Sequence, residues 1–432
     1  MKIHIHWLRK DLRVHDNIGL NNNDLPVLPL YVSKEDTINQ AGKLWLYEAL
    51  FNLNRDLDNN LNYYESDFLS ALEKIKNEYE IVSISWSRRY EPNHIKQDAN
   101  LKQRLKDLGY NVKSYNSNLL FEPHTVGLRN DKPYMVFTPY FKKASQNEIL
   151  QPSDEKAKQF VKSKSCESLP TFEKVSWQEK MLQAWDISEQ GANNRLDDFI
   201  NEGLTDYKVK RNNPGLKSVS KLSPYLHWGM ISPRYVWHKI KNQDAPNKDI
   251  RHYLSELGWR EFAYYMLYHF PNMNKENIYD FPYPWEKNDE LLTAWKFGNT
   301  GFPLIDAAMK ELTLTGYMHN RCRMLVGSFL TNILNIHWQE GAKWFADRLF
   351  DADEASNNAS WQWVAGCGTD SKQFLRIFNP TIQQQKFDPD FSYIKKYIPD
   401  FDKDNYLKPI VDFTKAQNKA NKIFESIQSN QT

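Results

Sequence analysis

Residues 349–363 read LFDADEASNNASWQW, and GTDSKQFLRIFNP follows from Gly368 to Pro380. Asp351 and Asp353 flank Ala352 where the pattern is that of a loop. Asp353, Asn357 and Trp361 then recur every four residues, the spacing that stacks side chains in one column of a helix. A carboxamide and an indole one turn apart each need a hydrogen-bond partner once buried, so the column requires a polar ligand or a dense internal network. A plain N-capped helix, with Asp353 as cap and Trp361 and Trp363 as core, has the same pattern.

Upstream of this stretch, Glu256, Trp259, Arg260 and Ala263 fall at i, i+3, i+4 and i+7, one helical face holding a carboxylate, an indole and a guanidinium. A surface ion pair beside a packed tryptophan shares that spacing. In YMHNRCRM, Asn320, Arg323 and Met324 share a face by the same arithmetic. The segment VSKLSPY, from Val219, sets two hydroxyls before a proline-initiated turn, an ST-turn or a small anion-binding nest. Trp285, Trp338, Trp361 and Trp363 each suit a core as readily as an electron path.

The chain has 432 residues, more than one core usually organises, so two domains are expected. Its 56 Lys and Arg against 54 Asp and Glu give a formal charge of +2, so no whole-molecule field selects a polyanion. Between Thr205 and Arg260, eleven basic residues face four acidic ones, a local excess of +7 that could meet phosphates. Three scattered cysteines without a CxxC pair support neither a disulfide framework nor a cysteine-held metal, and no metal site is expected. Met1–Arg13 lacks an apolar signal-like run and no stretch of eighteen apolar residues occurs, so a soluble cytoplasmic protein without membrane contact is expected. No Ser/His/Asp order, HExxH pair or nucleophilic cysteine setting points to hydrolysis.

Along the chain, Ile3–Leu8, Val27–Val32, Ile81–Trp86 and Asn111–Ser114 read as strands, separated by helical periods at Leu44–Leu57 and Phe68–Tyr79. This βαβ pattern predicts a doubly wound, Rossmann-like parallel sheet over residues 1–130. It carries no GxGxxG or GxxxxGK[ST] phosphate cradle. Residues 131–191 lose period and read as a connection, and residues 192–432 read as an all-helical domain broken at Pro214, Pro224, Pro233, Pro271, Pro282, Pro303 and Pro380.

The motifs HWLRKDLRVHDN, KLSPYLHWGMISP, ELGWREF, WKFGNTGFPLIDAAMKELTLTGYMHNRCRM, DADEASNNASWQW and GTDSKQFLRIFNP occur in the order found in the photolyase/cryptochrome family. The resemblance spans nearly the whole chain and is greatest to photolyases that repair cyclobutane pyrimidine dimers in DNA. It implies FAD held in the helical domain by Tyr207, Val219, Ser220, Lys221, Leu222, Ser223, Tyr253, Glu256, Trp259, Arg260, Ala263, Asn320, Arg323, Asp351, Ala352, Asp353 and Asn357. In that picture the VSKLS turn meets the pyrophosphate, Arg323 lies by the isoalloxazine, Asp351 accepts from the ring edge, and Asn357 faces flavin N5, where a neutral amide suits the fully reduced cofactor. Val219 departs from the Thr that many relatives carry.

The resemblance further assigns Glu256, Trp259, Asn320, Met324 and Trp363 to a pocket for a flipped dimer, and Arg211, Arg321 and Arg376 to DNA phosphates. Met324, where enzymes acting on (6-4) photoproducts carry His, points to cyclobutane dimers. Light would excite reduced FAD, one electron would pass to the dimer, and the electron would return after the ring splits. Trp361, Trp338 and Trp285 fall on the family's electron-transfer chain. Many members carry a second, antenna pigment. Asn93–His94 departs from the Asn–Glu pair of folate binders, which leaves folate, 8-hydroxy-5-deazaflavin or no antenna as alternatives. The expected partner is pyrimidine-dimer DNA, single- or double-stranded, met by a monomer. A blue-light receptor of the cryptochrome type, a (6-4) photolyase and a general FAD electron-transfer protein are the competing readings. The short segment after RIFNP favours the repair enzyme over the receptor.

Overall fold

The computed structural model describes residues 1–21, 24–34, 38–171, 176–370 and 375–429. Residues 371–374 of the GTDSKQFLRIFNP motif lie outside the described residues. The chain forms two compact units. One holds Met1–Val126, Ala144–Ile200 and Ser220–Asp244, and the other Gly127–Lys143, Asn201–Val219 and Ala245–Thr432.

The first unit is built on five parallel strands, β1 (Lys2–Trp7), β2 (Val27–Val32), β3 (Asn62–Tyr64), β4 (Glu80–Ser87) and β5 (Asn111–Tyr115), in the order β3-β2-β1-β4-β5. Ile5 of β1 pairs with Leu28 on one side and Ile84 on the other, as expected of a doubly wound sheet. The run VLPLYV in β2 is buried at all six positions, which suits a parallel strand covered on both faces. Crossover helices begin where side chains cap them: Asn39 accepts from the Gly42 N–H at 2.6 Å before Gln40–Asp56, and Asp67 from Ser70 N–H at 3.0 Å before Phe68–Ile75. The strand β3 has only three residues, too few to show a period. Asn62 fixes it by donating to the carbonyls of Pro29 and Val161 and accepting from the Ser163 N–H.

At the point between β1 and β4 where strand order reverses, the sheet fills its own crevice with polar side chains. His6 Nδ1 pairs with Ser85 Oγ at 2.8 Å and its Nε2 with Asp11 at 2.9 Å. Asp11 also accepts from the Arg9 N–H, the Ser87 hydroxyl and the Asn17 amide. Burial alone would push the Asp11 carboxyl up, but these donors outweigh it and hold its pKa at about 2.

The other unit is helical, and among the described residues no strand follows β5. Its core gathers Trp295, Ile305, Leu325, Phe329, Trp338, Phe345 and Trp361 from the helices Asp289–Phe297, Pro303–Thr315, Asn320–Ser328, Trp338–Arg348 and Glu354–Ala365. Pro303 and Pro380 stand in the first turn of their helices, where the missing N–H has no cost. No described helix is long and apolar enough to cross a membrane.

The segment expected to lack period departs from that expectation. It contains the helices Phe137–Ala144 and Ser176–Gln183. Phe137, Tyr140 and Phe141 make one aromatic face on the first of these, and Tyr140 is fully buried. Eight residues are too short a window for periodicity to reveal the helix.

The Asp11 network predicts that Asp11→Ala lowers unfolding free energy by about 3 kcal/mol, measured by urea denaturation of the full chain. Because the folded-state pKa is depressed, the contribution present above the ordinary carboxylate range is lost as pH falls toward about 2 in the wild type, and the variant lacks that acid limb.

Candidate functional site

Asp353 caps the helix Glu354–Ala365 by accepting from the Ser356 N–H at 2.6 Å, and Gly366, at φ 86°, ends it. Burial raises the Asp353 carboxyl above its ordinary range against the Ser356 contacts and Arg260. The amide of Asn357 donates to the Ala342 carbonyl at 2.9 Å, and its Oδ1 has no hydrogen-bond partner among the described residues. Ala352, Asp353 and Asn357 line a cavity of about 580 Å³ with Asn274, Trp338 and Ala342 among its walls.

Asp351 is bound by Arg323 through two contacts, 3.1 and 2.7 Å. The Arg323 Nε also donates to the Met318 carbonyl at 2.7 Å, and the guanidinium lies over the Tyr317 ring. Burial opposes the Arg323 charge, but Asp351 outweighs it and raises its pKa.

Trp361 is buried among Phe345, at 5.0 Å between centroids, and Trp295, at 6.1 Å. The close approach depends on Gly341, where a Cβ would stand 2.1 Å from Trp361 Cη2. One turn before Gly341 on the same helix, Trp338 donates from Nε1 to Asn277 Oδ1 at 2.9 Å. The ring of His337 stands 5.7 Å from Trp338 and 5.3 Å from half-buried Trp285. All three expected electron-transfer tryptophans therefore lie in one unit, with an imidazole between two of them that the sequence did not single out.

A second group forms on the helix Asn247–His269. Glu256 takes a bidentate pair from Arg211, with Nη2 at 2.8 Å. The Glu256–Arg260 pair that the i, i+4 spacing offered does not form. Arg260 instead lies over Tyr264 and contacts Glu261 at 3.3 Å. Arg211 also donates to His252 Nε2 at 2.9 Å and reaches Asn320 Oδ1 at 3.5 Å. Burial pushes the Glu256 carboxyl up, and Arg211 only partly offsets that. Trp259 is 37% exposed and stacks face to face on Phe137 at 3.9 Å, while Gly258 clears room for Phe141. Tyr207 and Tyr253 pack edge to face at 5.4 Å, Ala263 is buried, and Met324 is half-buried.

Glu311 orients the helix that carries Asn320 and Met324. Its carboxylate accepts from the Tyr393 and Tyr397 hydroxyls and from the His319 N–H at 3.0 Å, and His319 caps that helix. Nothing in the sequence pattern separated Glu311 from an ordinary core-facing residue.

The expected phosphate contacts are engaged within the protein. Arg321 donates to Asn212 and lies over Phe387. Arg376 turns inward, 9% exposed, donating to the Asp370 and Trp363 carbonyls with its guanidinium 4.1 Å over the Trp363 ring. The turn Ser220–Ser223 falls in the first unit, with Lys221 at φ 52°, Leu222 buried and Ser223 opening the short helix Ser223–His227. Val219 is the last residue of its segment in the helical unit. The +7 stretch is thus shared between the two units, and Lys239 and Arg234 within it pair with Asp197 and Asp16. Asn93 and His94 lie in the first turn of the helix Pro92–Asp107. Among the described residues no group of His, Cys, Asp and Glu is placed to hold a metal ion.

Residues 4–158 match the family model for DNA photolyase, and residues 253–404 match that for the FAD binding domain of DNA photolyase. The chain is 38% identical to the deoxyribodipyrimidine photo-lyase of Agrobacterium fabrum over 92% of this chain and 87% of that protein. It is 29% identical to cryptochrome-2 of Arabidopsis thaliana over 95% of this chain and 77% of that one. A bacterial class III photolyase from Agrobacterium tumefaciens superposes with a TM-score of 0.91 at 33% identity, covering 99% of this chain and 98% of that one.

Filling the gap at Gly341 is expected to push the helices Trp338–Arg348 and Glu354–Ala365 away from each other. Gly341→Ala should lower stability by about 1–3 kcal/mol, read as a reduced melting temperature, with Trp361 fluorescence shifting as its ring is displaced.

Proposed function

The chain belongs to the DNA photolyase family, a family of light-driven flavoenzymes with FAD as cofactor, and from that premise we propose that it repairs cyclobutane pyrimidine dimers in DNA. The observation that carries this reading is the group around Glu256. A carboxyl whose pKa is raised by burial stands one turn from an exposed indole, with Asn320 on the neighbouring helix.

Such a group suits a base taken out of the stack. The free face of Trp259 offers a platform for stacking, which contributes about 1–3 kcal/mol per base. Phe137 fixes that ring from behind, so its plane is set before a ligand arrives. Glu256 hydrogen-bonds the polar edge of the pyrimidine, and Asn320 adds an amide. Flipping costs a few kcal/mol and least for a lesion already poorly stacked, so selectivity needs little base reading. Met324 gives the pocket a thioether in place of the imidazole expected for (6-4) photoproducts. Arg376 orients Trp363 from above, while Arg211 and Arg321 become phosphate contacts once their internal partners release them.

The residues of the helical unit fit FAD. Asn357 Oδ1 has no partner among the described residues, which suits the N–H that a reduced flavin presents at N5. Arg323 and Asp351 pair a fixed cation with an acceptor at one edge of that region, and Asp353 stands on the same column as Asn357. When bound, FAD supplies the light absorption and the electron that the reaction needs. Trp361, Trp338 and Trp285 then link the interior to the surface of the unit. The substrate is pyrimidine-dimer DNA, single- or double-stranded, and the chain acts as a monomer.

The deciding experiment irradiates a dimer-containing oligonucleotide with the protein and follows light-dependent recovery of intact thymines. Tight lesion binding without recovery would favour the receptor reading that the cryptochrome likeness keeps alive. Glu256→Gln should reduce repair yield roughly tenfold, the weight of one hydrogen bond to a charged or proton-bearing group, at unchanged FAD content. Trp361→Phe should stop photoreduction of oxidised flavin, followed by absorbance, while enzyme reduced beforehand repairs at the wild-type rate.

A further inference from the structure

His252 is not among the residues that the family resemblance assigns, yet it touches the centre of the group just described. A guanidinium has donors and no acceptor, so the 2.9 Å contact between Arg211 and His252 requires Nε2 to be the unprotonated nitrogen. The same Nε2 lies 4.0 Å from Glu256 Oε1, one helical turn away. Arg211 is thus held by a carboxylate and an imidazole lone pair at once, with the Asn320 amide oxygen at 3.5 Å as a third, longer acceptor. A proton on Nε2 removes one acceptor and places a second cation against the guanidinium.

We propose that His252 is a positioning residue that sets whether Arg211 stays closed over Glu256. With Nε2 bare, it keeps the guanidinium on the carboxylate. With Nε2 protonated, it pairs with Glu256 itself and releases Arg211 toward a DNA phosphate. The device deepens the reading of Glu256 and Arg211 given above and rests on it.

The surroundings leave Glu256 as the partner available for that exchange. On its own helix His252 senses Asp249 and lies 4.0 Å from Glu256, and Asp249 is already engaged by the Lys208 N–H at 2.9 Å and the Asp206 N–H at 3.2 Å. From the segment Tyr207–Arg211 it meets the Tyr207 ring at 6.0 Å and the charges of Lys208 and Arg211. From the helix Asn320–Ser328, Asn320 approaches Arg211, and burial together with the Arg211 charge lowers the Arg321 pKa. Burial, Arg211 and Lys208 together lower the imidazole pKa, with Asp249 opposing them. The closed arrangement therefore persists at neutral pH, and release comes on the acid side of the ordinary imidazole range.

The test uses the full-length FAD-loaded protein in the dark, with fluorescence anisotropy of a dimer-containing oligonucleotide from roughly pH 5 to 8. Other histidines on any DNA-binding surface also titrate, so the comparison is with His252→Gln, which keeps an acceptor and cannot gain the proton. Wild-type lesion affinity should rise toward acid pH by about threefold more than that of His252→Gln, the scale of one partly exposed ion pair. Equal pH slopes at equal FAD content would overturn the proposal. Imidazole titration by NMR provides a second measurement, independent of DNA. Glu256→Gln should lower the His252 pKa and Arg211→Gln should raise it, and an unmoved pKa in both variants would also overturn it. Absence of any repair or lesion binding by the wild type, with both pKa shifts present, would instead count against the repair reading and leave the exchange standing.

Discussion

The pairing of Arg323 with Asp351 is the constraint on which the helical unit's interior turns. It ties the helix Asn320–Ser328 to the loop that launches Glu354–Ala365, so the column of Asp353, Asn357 and Trp361 has a fixed origin. A pair whose carboxylate is 3% exposed gains little net stability over a well-packed apolar contact, because both ions must leave water. Its value is geometric. A bidentate fork fixes plane and distance together, and the further contact from Arg323 to the Met318 carbonyl fixes the fork itself.

From that origin the column can serve as an interior wall only because the neighbouring helix comes close. Gly341 allows it, and Trp361 fills the space that the missing side chain leaves. The same packing sets the Ala342 carbonyl where the Asn357 amide donates to it, and among the described residues the Oδ1 of Asn357 takes no partner. One glycine thus determines both an aromatic contact and the orientation of an amide. The Glu256 group is built in the complementary way: burial keeps the carboxyl proton-prone, Arg211 restrains that tendency, and Phe137 holds the Trp259 plane. Each feature alone is an ordinary packing solution. Their adjacency makes the candidate site.

Several elements were legible in the linear pattern for simple reasons. Four of the five strands follow from the alternation of short strand-like segments with helical periods, and Asp353 at a helix start is a local capping signal that needs no tertiary information. The strand β3 escaped because Asn62 is held by partners on β2 and beyond residue 160, not by any period of its own. The helix Phe137–Ala144 escaped for a related reason. Its aromatic face is completed by Trp259 and Phe262.

The sequence by itself determined the parallel-sheet and helical halves, the column from Asp353 to Trp361 and the family resemblance, because period, capping and motif order are local properties of a chain. Tertiary structure alone decided that Glu256 pairs with Arg211 instead of Arg260, that Arg376 turns inward onto Trp363, and that His252 and Glu311 stand behind the candidate site. Helical spacing says which side chains share a face, but not which of several charges reaches a carboxylate first. That choice depends on how helices cross and which groups lose their water, and neither is written in the distance along the chain.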